Sequence, residues 1–221
     1  MQTVTFTLFH FQGVRNRLWA FSQMGLQPFR VGVADGLTFA KMLGTGGGNG
    51  FSIRPNFGAY AWLAAWDTEG SARDFFSTNP IFQATKSHSS EQFTVFLRPT
   101  AAHGTWNGVQ PFQPNADFDA EKPVAVLTRA RIRTRLLHRF WQYVPQTSRS
   151  IEDFAERTFS VGVGELPLIE QATFSLWTSG KAMKDFAYKS PHHAEVVRKT
   201  RELGWYSEEL FARFEVCNSD T

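Results

Sequence analysis

Tyr60-Ala61-Trp62-Leu63-Ala64-Ala65-Trp66 reads as a strand that ends on tryptophan. Eight positions after Trp66 comes Asp74-Phe75, and six further on a helix-starting Pro80 follows Asn79. The same spacing recurs later in the chain. The strand Ala172 to Trp177 also ends on tryptophan, Asp185-Phe186 lies eight positions on, and Pro191 follows Ser190. A single offset of 111 aligns all of these. Arg17-Leu18 and Arg135-Leu136 align at a different offset, because the first half carries a longer glycine loop. The pattern predicts an internal duplication.

Outward from these strands the element order agrees. In the first half, Thr3 to Phe11 reads as a strand and Arg17 to Met24 as a short helix. Val4, Phe6, Leu8 and His10 share one face of that strand; Thr5, Thr7, Phe9 and Phe11 share the other. A glycine-rich loop spans Gly44 to Gly50, and Phe51 to Ile53 reads as the next strand. Ser71 to Phe76 opens a helix expected to run on past Pro80, and the strand Phe93 to Leu97 ends at Arg98-Pro99. In the second half, Pro123 to Arg133, Phe159 to Gly164, Ala172 to Trp177 and Leu210 to Val216 read as strands. Helices are expected over Arg135 to Val144, Lys181 to Tyr188 and Pro191 to Leu203. Each half is thus β-α-β-β-α-β. The expected class is α+β, with two ferredoxin-like halves forming a pseudo-dimeric α+β barrel. Residues 1–100 form the N-terminal half, 101–122 a linker rich in Gly, Pro and Asn, and 123–221 the C-terminal half. Such a barrel leaves a cavity between sheet and helices in one or both halves.

Composition narrows the function. The chain has 221 residues, of which 42% are hydrophobic and 19% charged, enough for one packed core. Its net charge of +3 is too weak to imply a nucleic-acid partner without a clustered patch. Aromatic residues make up 15%, which suits either a large apolar core or a pocket for a flat or greasy ligand. Cys217 is the single cysteine, so an intrachain disulfide, a zinc finger and a Cys-ligated iron–sulfur cluster are all excluded. Met1 to Phe9 alternates and lacks a basic leader, so no signal peptide is expected, and no apolar run is long enough for a spanning helix. The expected location is the cytoplasm, with peripheral membrane contact and a homo-oligomer both open.

Six histidines are present, none spaced as a metal pair. The informative one is His193. Ser190 is a good N-cap and Pro191 a good first helical residue. His193 lies three and four residues before Val196 and Val197, so it faces the packed side of that helix, whereas His192 aligns with Glu195 and Lys199 toward solvent. The positive end of the helix dipole disfavours imidazolium and keeps the ring neutral. A neutral imidazole can bind a metal or haem iron; it can equally be a core histidine bonded to a backbone carbonyl. Arg129, Arg131 and Arg133 alternate on one strand face, where they could hold carboxylates such as haem propionates, supply a polar group on the distal side, or line a solvated strand end. The glycine loop lacks the Gly-Lys-Ser/Thr of a phosphate loop, and no nucleophile triad can be assembled.

Three stretches resemble the spheroidene monooxygenase family. They are Leu18-Trp19-Ala20-Phe21-Ser22-Gln23-Met24-Gly25-Leu26; Val161-Gly162-Val163-Gly164-Glu165-Leu166-Pro167-Leu168 with Gln171-Ala172-Thr173-Phe174-Ser175-Leu176-Trp177; and Pro191-His192-His193-Ala194-Glu195 leading to Gly204-Trp205-Tyr206-Ser207-Glu208-Glu209-Leu210-Phe211-Ala212-Arg213-Phe214. The strand Ala125 to Ala130 also fits, so the resemblance spans nearly the whole chain. It implies haem b (iron protoporphyrin IX) and an oxygenase that acts at a terminal carbon of acyclic carotenoids and yields a ketone. It also implies kinship with other haem α+β barrels, including chlorite dismutases and aldoxime dehydratases. The family's helical histidine before Ala-Glu corresponds to His193, with His192 as the fallback iron ligand. Glu165 is a candidate partner for the other nitrogen of His193, and Arg129 and Arg131 are candidates for the distal side. The substrate is expected to be apolar and the electron donor an external protein such as ferredoxin. The alternatives are a dehydratase of the aldoxime dehydratase type, a haem-binding protein without turnover, and a barrel that binds no cofactor.

Overall fold

The structure, a computed structural model, describes residues 1–30, 34–47, 54–142, 155–189 and 202–220. Strand β1 (Thr3–His10) leads through Gly13, in the left-handed region at φ 77°, into helix α1 (Val14–Arg30). Strands β2 (Leu37–Gly46) and β3 (Pro55–Trp66) follow, then helices α2 (Glu69–Thr78) and α3 (Pro80–His88) and strand β4 (Glu91–Gly104). The second half runs β5 (Val124–Ile132), a helical segment from Thr134 to residue 142, β6 (Arg157–Gly164), β7 (Glu170–Trp177), helix α4 (Gly180–Lys189) and β8 (Tyr206–Asp220).

Every strand pair is antiparallel, and the strands close into one barrel in the order β1-β3-β2-β6-β7-β5-β8-β4. Within it the halves keep the ferredoxin-like orders β4-β1-β3-β2 and β8-β5-β7-β6. They join where β2 meets β6 and where β4 meets β8. Gly44 pairs with Gly164 at the first seam, and a Cβ on Gly164 would run into the Glu170 carbonyl oxygen.

The lumen is a packed core. Val4, Phe6, Leu43, Leu63, Leu97, Leu127, Phe174 and Phe214 fill it, and Phe6 from one half stacks on Phe174 from the other with centroids 3.9 Å apart. The repeat read from the sequence is a packing device. Trp66 lies 5.0 Å from Phe75, and Trp177 lies 5.1 Å from Phe186. In each half the tryptophan that closes the third strand pins the following helix.

Several boundaries differ from expectation. β2 covers Leu37–Gly46, so Gly44 to Gly46, expected in a loop, are strand; the strand expected over Phe51 to Ile53 lies outside the described residues. α1 is longer than Arg17 to Met24 at both ends. The helix expected to continue past Pro80 breaks there, because Pro80 brings no backbone donor. Asn79 Oδ1 caps a new helix by accepting from the backbone N–H groups of Ile81 and Phe82 at 3.0 and 3.2 Å. β4 does not end at Arg98-Pro99. A bulge between Pro99 and Ala101 absorbs the proline, and the strand pairs with β8 as far as Gly104, including the first residues expected in the linker. β8 likewise extends beyond Leu210 to Val216 at both ends. Of the helices expected over Arg135 to Val144 and Pro191 to Leu203, only residues up to 142 and from 202 are described, and these are helical.

Candidate functional site

Equivalent strands of the two halves run antiparallel to each other, so the pseudo-two-fold axis crosses the barrel and makes its two ends equivalent. Strand pairing gives the correspondence. Thr3 pairs with Trp66 and Val124 with Trp177, so Leu8 matches Arg129 and His10 matches Arg131. His10 pairs with Glu91 and Arg131 with Glu208, so those carboxylates match too.

One end is plugged. The connection after β4 makes a tight turn at Asn107 (φ 54°) and Gly108 (φ 78°), and it inserts Trp106 and Phe112 into the lumen core. Arg129 is 2% exposed and sits beneath this turn. Its Nη1 donates to Glu208 Oε2 at 2.6 Å and its Nη2 to Asn107 Oδ1 at 3.2 Å. Its guanidinium carbon lies 4.9 Å from the Trp106 ring centroid, and Glu170 Oε1 is 3.6 Å from Nη2. Arg131 Nε lies 3.3 Å from the same Glu170 oxygen. Arg133 Nε donates to the Gly204 carbonyl. Glu208 also accepts from Thr105 Oγ1 at 2.8 Å and Gly108 N–H at 2.7 Å. Burial pushes the Glu208 carboxyl up, but the hydrogen bonds from Gly108, Arg129, Thr105 and Asn107 outweigh it and lower its pKa from 4.5 to about 2.

A depressed carboxylate adds stability that is complete above its ordinary pKa and is lost as pH falls through the folded value. The unfolding free energy is therefore expected to decline between pH 4.5 and about 2. Glu208→Gln should flatten that decline in urea titrations across the window; identical acid slopes for the two proteins would contradict the assignment.

The other end is open. A cavity of about 930 Å³ is walled by Leu8, Phe93, Val95, Phe159, Leu176 and Val216, with His10 and Glu91 at its rim. Phe93 and Phe159 meet across it at 5.8 Å. The fused chain has one connection between its halves, so it can plug one end and not the other.

The outer faces of the two half-sheets differ as well. In the first half, Phe9, Tyr60, Trp62 and Met42 form a buried aromatic layer beneath the helices, with Phe75, Phe82 and Phe96. Phe9 pairs with Tyr60 and Ala130 with Gln171. Trp62 lies between Thr7 and Met42, as Thr173 lies between Thr128 and Gly162. In the second half the same positions therefore hold Ala130, Gln171, Thr173 and Gly162. Three rings and a methionine are replaced by small or polar groups. Trp177 with Phe186 flanks this depleted patch, the bay, at one end and Ile132 with Phe140 and Trp205 at the other. The outer face of the second half-sheet thus carries much less side-chain volume than that of the first.

Of the residues expected at a site, Arg129 and Glu165 meet on Trp106 at the plugged end. His193 and His192 lie outside the described residues. Glu165 Oε1 accepts from Lys41 Nζ at 2.7 Å and its Oε2 from Trp106 Nε1 at 2.6 Å. Arg129 and Arg131 point into the lumen, on the opposite side of β5 from Ala130 and Thr128. Sequence reasoning missed the bay residues Gln171, Thr173 and Gly162, although aligning the halves position by position would have shown where the aromatics disappear.

The fold defines a fused α+β barrel protein with ferredoxin-like halves. Aldoxime dehydratase, a solved structure, shares this fold at a TM-score of 0.64 over 98% of this chain and 82% of that one, with 10% sequence identity. No family model matches the chain. Spheroidene monooxygenase of Rhodobacter capsulatus is 36% identical over 222 residues, covering 100% of this chain and 92% of that protein. Spheroidene monooxygenase of Cereibacter sphaeroides is 37% identical over 220 residues, 99% of this chain and 68% of that protein. The chain belongs to the spheroidene monooxygenase family, and it is an oxidoreductase of the monooxygenase type.

Proposed function

We propose that the protein is a haem b-dependent monooxygenase that converts a carotenoid-like, apolar substrate to a ketone with dioxygen and electrons from an external ferredoxin-like donor. The observation that carries this reading is the bay on the outer face of the second half-sheet, where Ala130, Gln171, Thr173 and Gly162 stand in place of Phe9, Tyr60, Trp62 and Met42. A flat apolar group fits a slab emptied of three rings. The name of the relatives, spheroidene monooxygenase, supports the carotenoid class.

The haem would lie in that bay with His193 as its iron ligand and His192 as the fallback, and when bound it supplies dioxygen activation. The chain's own part is orientation and dryness. Gln171 and Thr173 offer hydrogen-bonding groups on the sheet side, and the clusters around Trp177 and Trp205 keep water from the two ends of the bay. Each hydroxylation takes one dioxygen, two electrons and two protons and releases one water; a second at the same carbon gives a geminal diol, which loses water to the ketone. Arg129 and Arg131 have carboxylate partners in the lumen, and this reading gives them no part in the oxygen chemistry.

The test is the visible absorption spectrum of protein produced with haem supplementation, beside Thr173→Trp, which restores the ring found at Trp62. Wild type is expected to show a Soret band, and Thr173→Trp to fold and lose most of it. No band in wild type after reconstitution would overturn the haem reading. A full band in Thr173→Trp would move the haem out of the bay.

A further inference from the structure

Helix α1 is apolar on two opposite sides. Its inner side buries Ala20 against the first half-sheet. On its outer side Val14, Leu18 and Phe21 recur at helical spacing and are 76%, 65% and 56% exposed. Phe57, 51% exposed and placed just before β3 meets β1, extends the stripe by packing edge-on against Phe21 at 5.8 Å. Side chains this large and this exposed in one contiguous patch mark a contact surface.

The charges around the stripe say what covers it. Arg15 and Arg17 lie on α1 on either side of it, and both are exposed. No Asp or Glu occurs before Asp35, whereas Arg15, Arg17 and Arg30 all fall in that stretch. Basic side chains flanking exposed Leu and Phe match an anionic lipid surface, where the apolar groups enter the acyl boundary and the guanidinium groups meet the headgroups. Among the described residues no helix is long and apolar enough to cross a membrane.

The position in the fold agrees. Val14 follows closely on His10, and Phe57 lies two residues before Ala59, the pairing partner of His10; His10 is at the rim of the 930 Å³ cavity. The exposed stripe and the open end of the barrel therefore lie together. We infer that α1 and Phe57 dock the protein on an anionic bilayer surface, with the apolar mouth of the barrel set beside the lipid. The inference stands apart from the haem reading, since none of these residues belongs to the bay.

Flotation of the full chain with phosphatidylcholine vesicles, with and without about one-third phosphatidylglycerol, tests it. Binding to the anionic vesicles is expected. Leu18→Glu/Phe21→Glu should weaken it by about tenfold or more and Arg15→Gln by about fivefold, with unchanged thermal unfolding. Val109→Glu, an exposed apolar residue at the plugged end, serves as the control and should bind as wild type does. Wild type that ignores anionic vesicles, or a double variant that binds them equally well, overturns the proposal. So does a wild-type dimer that the double variant turns into monomers while vesicles stay unbound, because the stripe would then be an interface between copies of this chain.

Discussion

His193→Ala is expected to lose the Soret band and monooxygenase turnover together, while His192→Ala keeps both. At the helical spacing expected from the sequence, His193 would share a face with Val196 and Val197, and His192 one with Glu195 and Lys199. An inward imidazole near a helix N-terminus stays neutral and can donate its lone pair to iron. Losing a residue that merely supports a ligand costs about 10–100-fold, and losing the ligand itself should exceed that. Added imidazole should restore the band in His193→Ala, a rescue that a purely structural histidine would not show. A band that survives in His193→Ala without imidazole would place the ligand elsewhere; a band lost only in His192→Ala would reverse the assignment.

The second large effect concerns stability. Arg129→Ala should cost about 3–5 kcal/mol, because it takes the cation from Glu208 and leaves the buried Glu170 with Arg131 alone. It also removes the guanidinium packed on Trp106 and so loosens the turn that plugs the barrel. Urea unfolding measures the loss. Arg129→Met combined with Glu208→Gln should recover part of it, since the double change removes charge from both partners. A loss below about 1 kcal/mol would mean that water already reaches the pair. In either variant a Soret band of unchanged position would fit Arg129's place in the lumen.

Much of this molecule could be read from local pattern. Trp66 with Phe75 and Trp177 with Phe186 are visible as a spacing in the chain, and the spacing is the packing contact. The alternation of Val4, Phe6 and Leu8 against Phe9 and Phe11 separates the lumen core from the helical layer as expected. β2 was hidden because Gly44 and Gly46 look like loop residues. Gly44 instead belongs to the seam with β6, a contact between chain segments more than a hundred positions apart. The plugged end was hidden for the same reason, since Arg129, Glu208 and Trp106 come from three separate stretches.

The sequence by itself determined the duplicated β-α-β-β-α-β order and the family. Strand alternation, helix spacing and caps are set by neighbours a few residues apart, so they survive in a linear string. Only the tertiary structure decided that the barrel closes and that one end is plugged and the other open. These depend on which strands pair across the two halves and on the single connection between them. Two copies of one pattern thereby acquire different interiors.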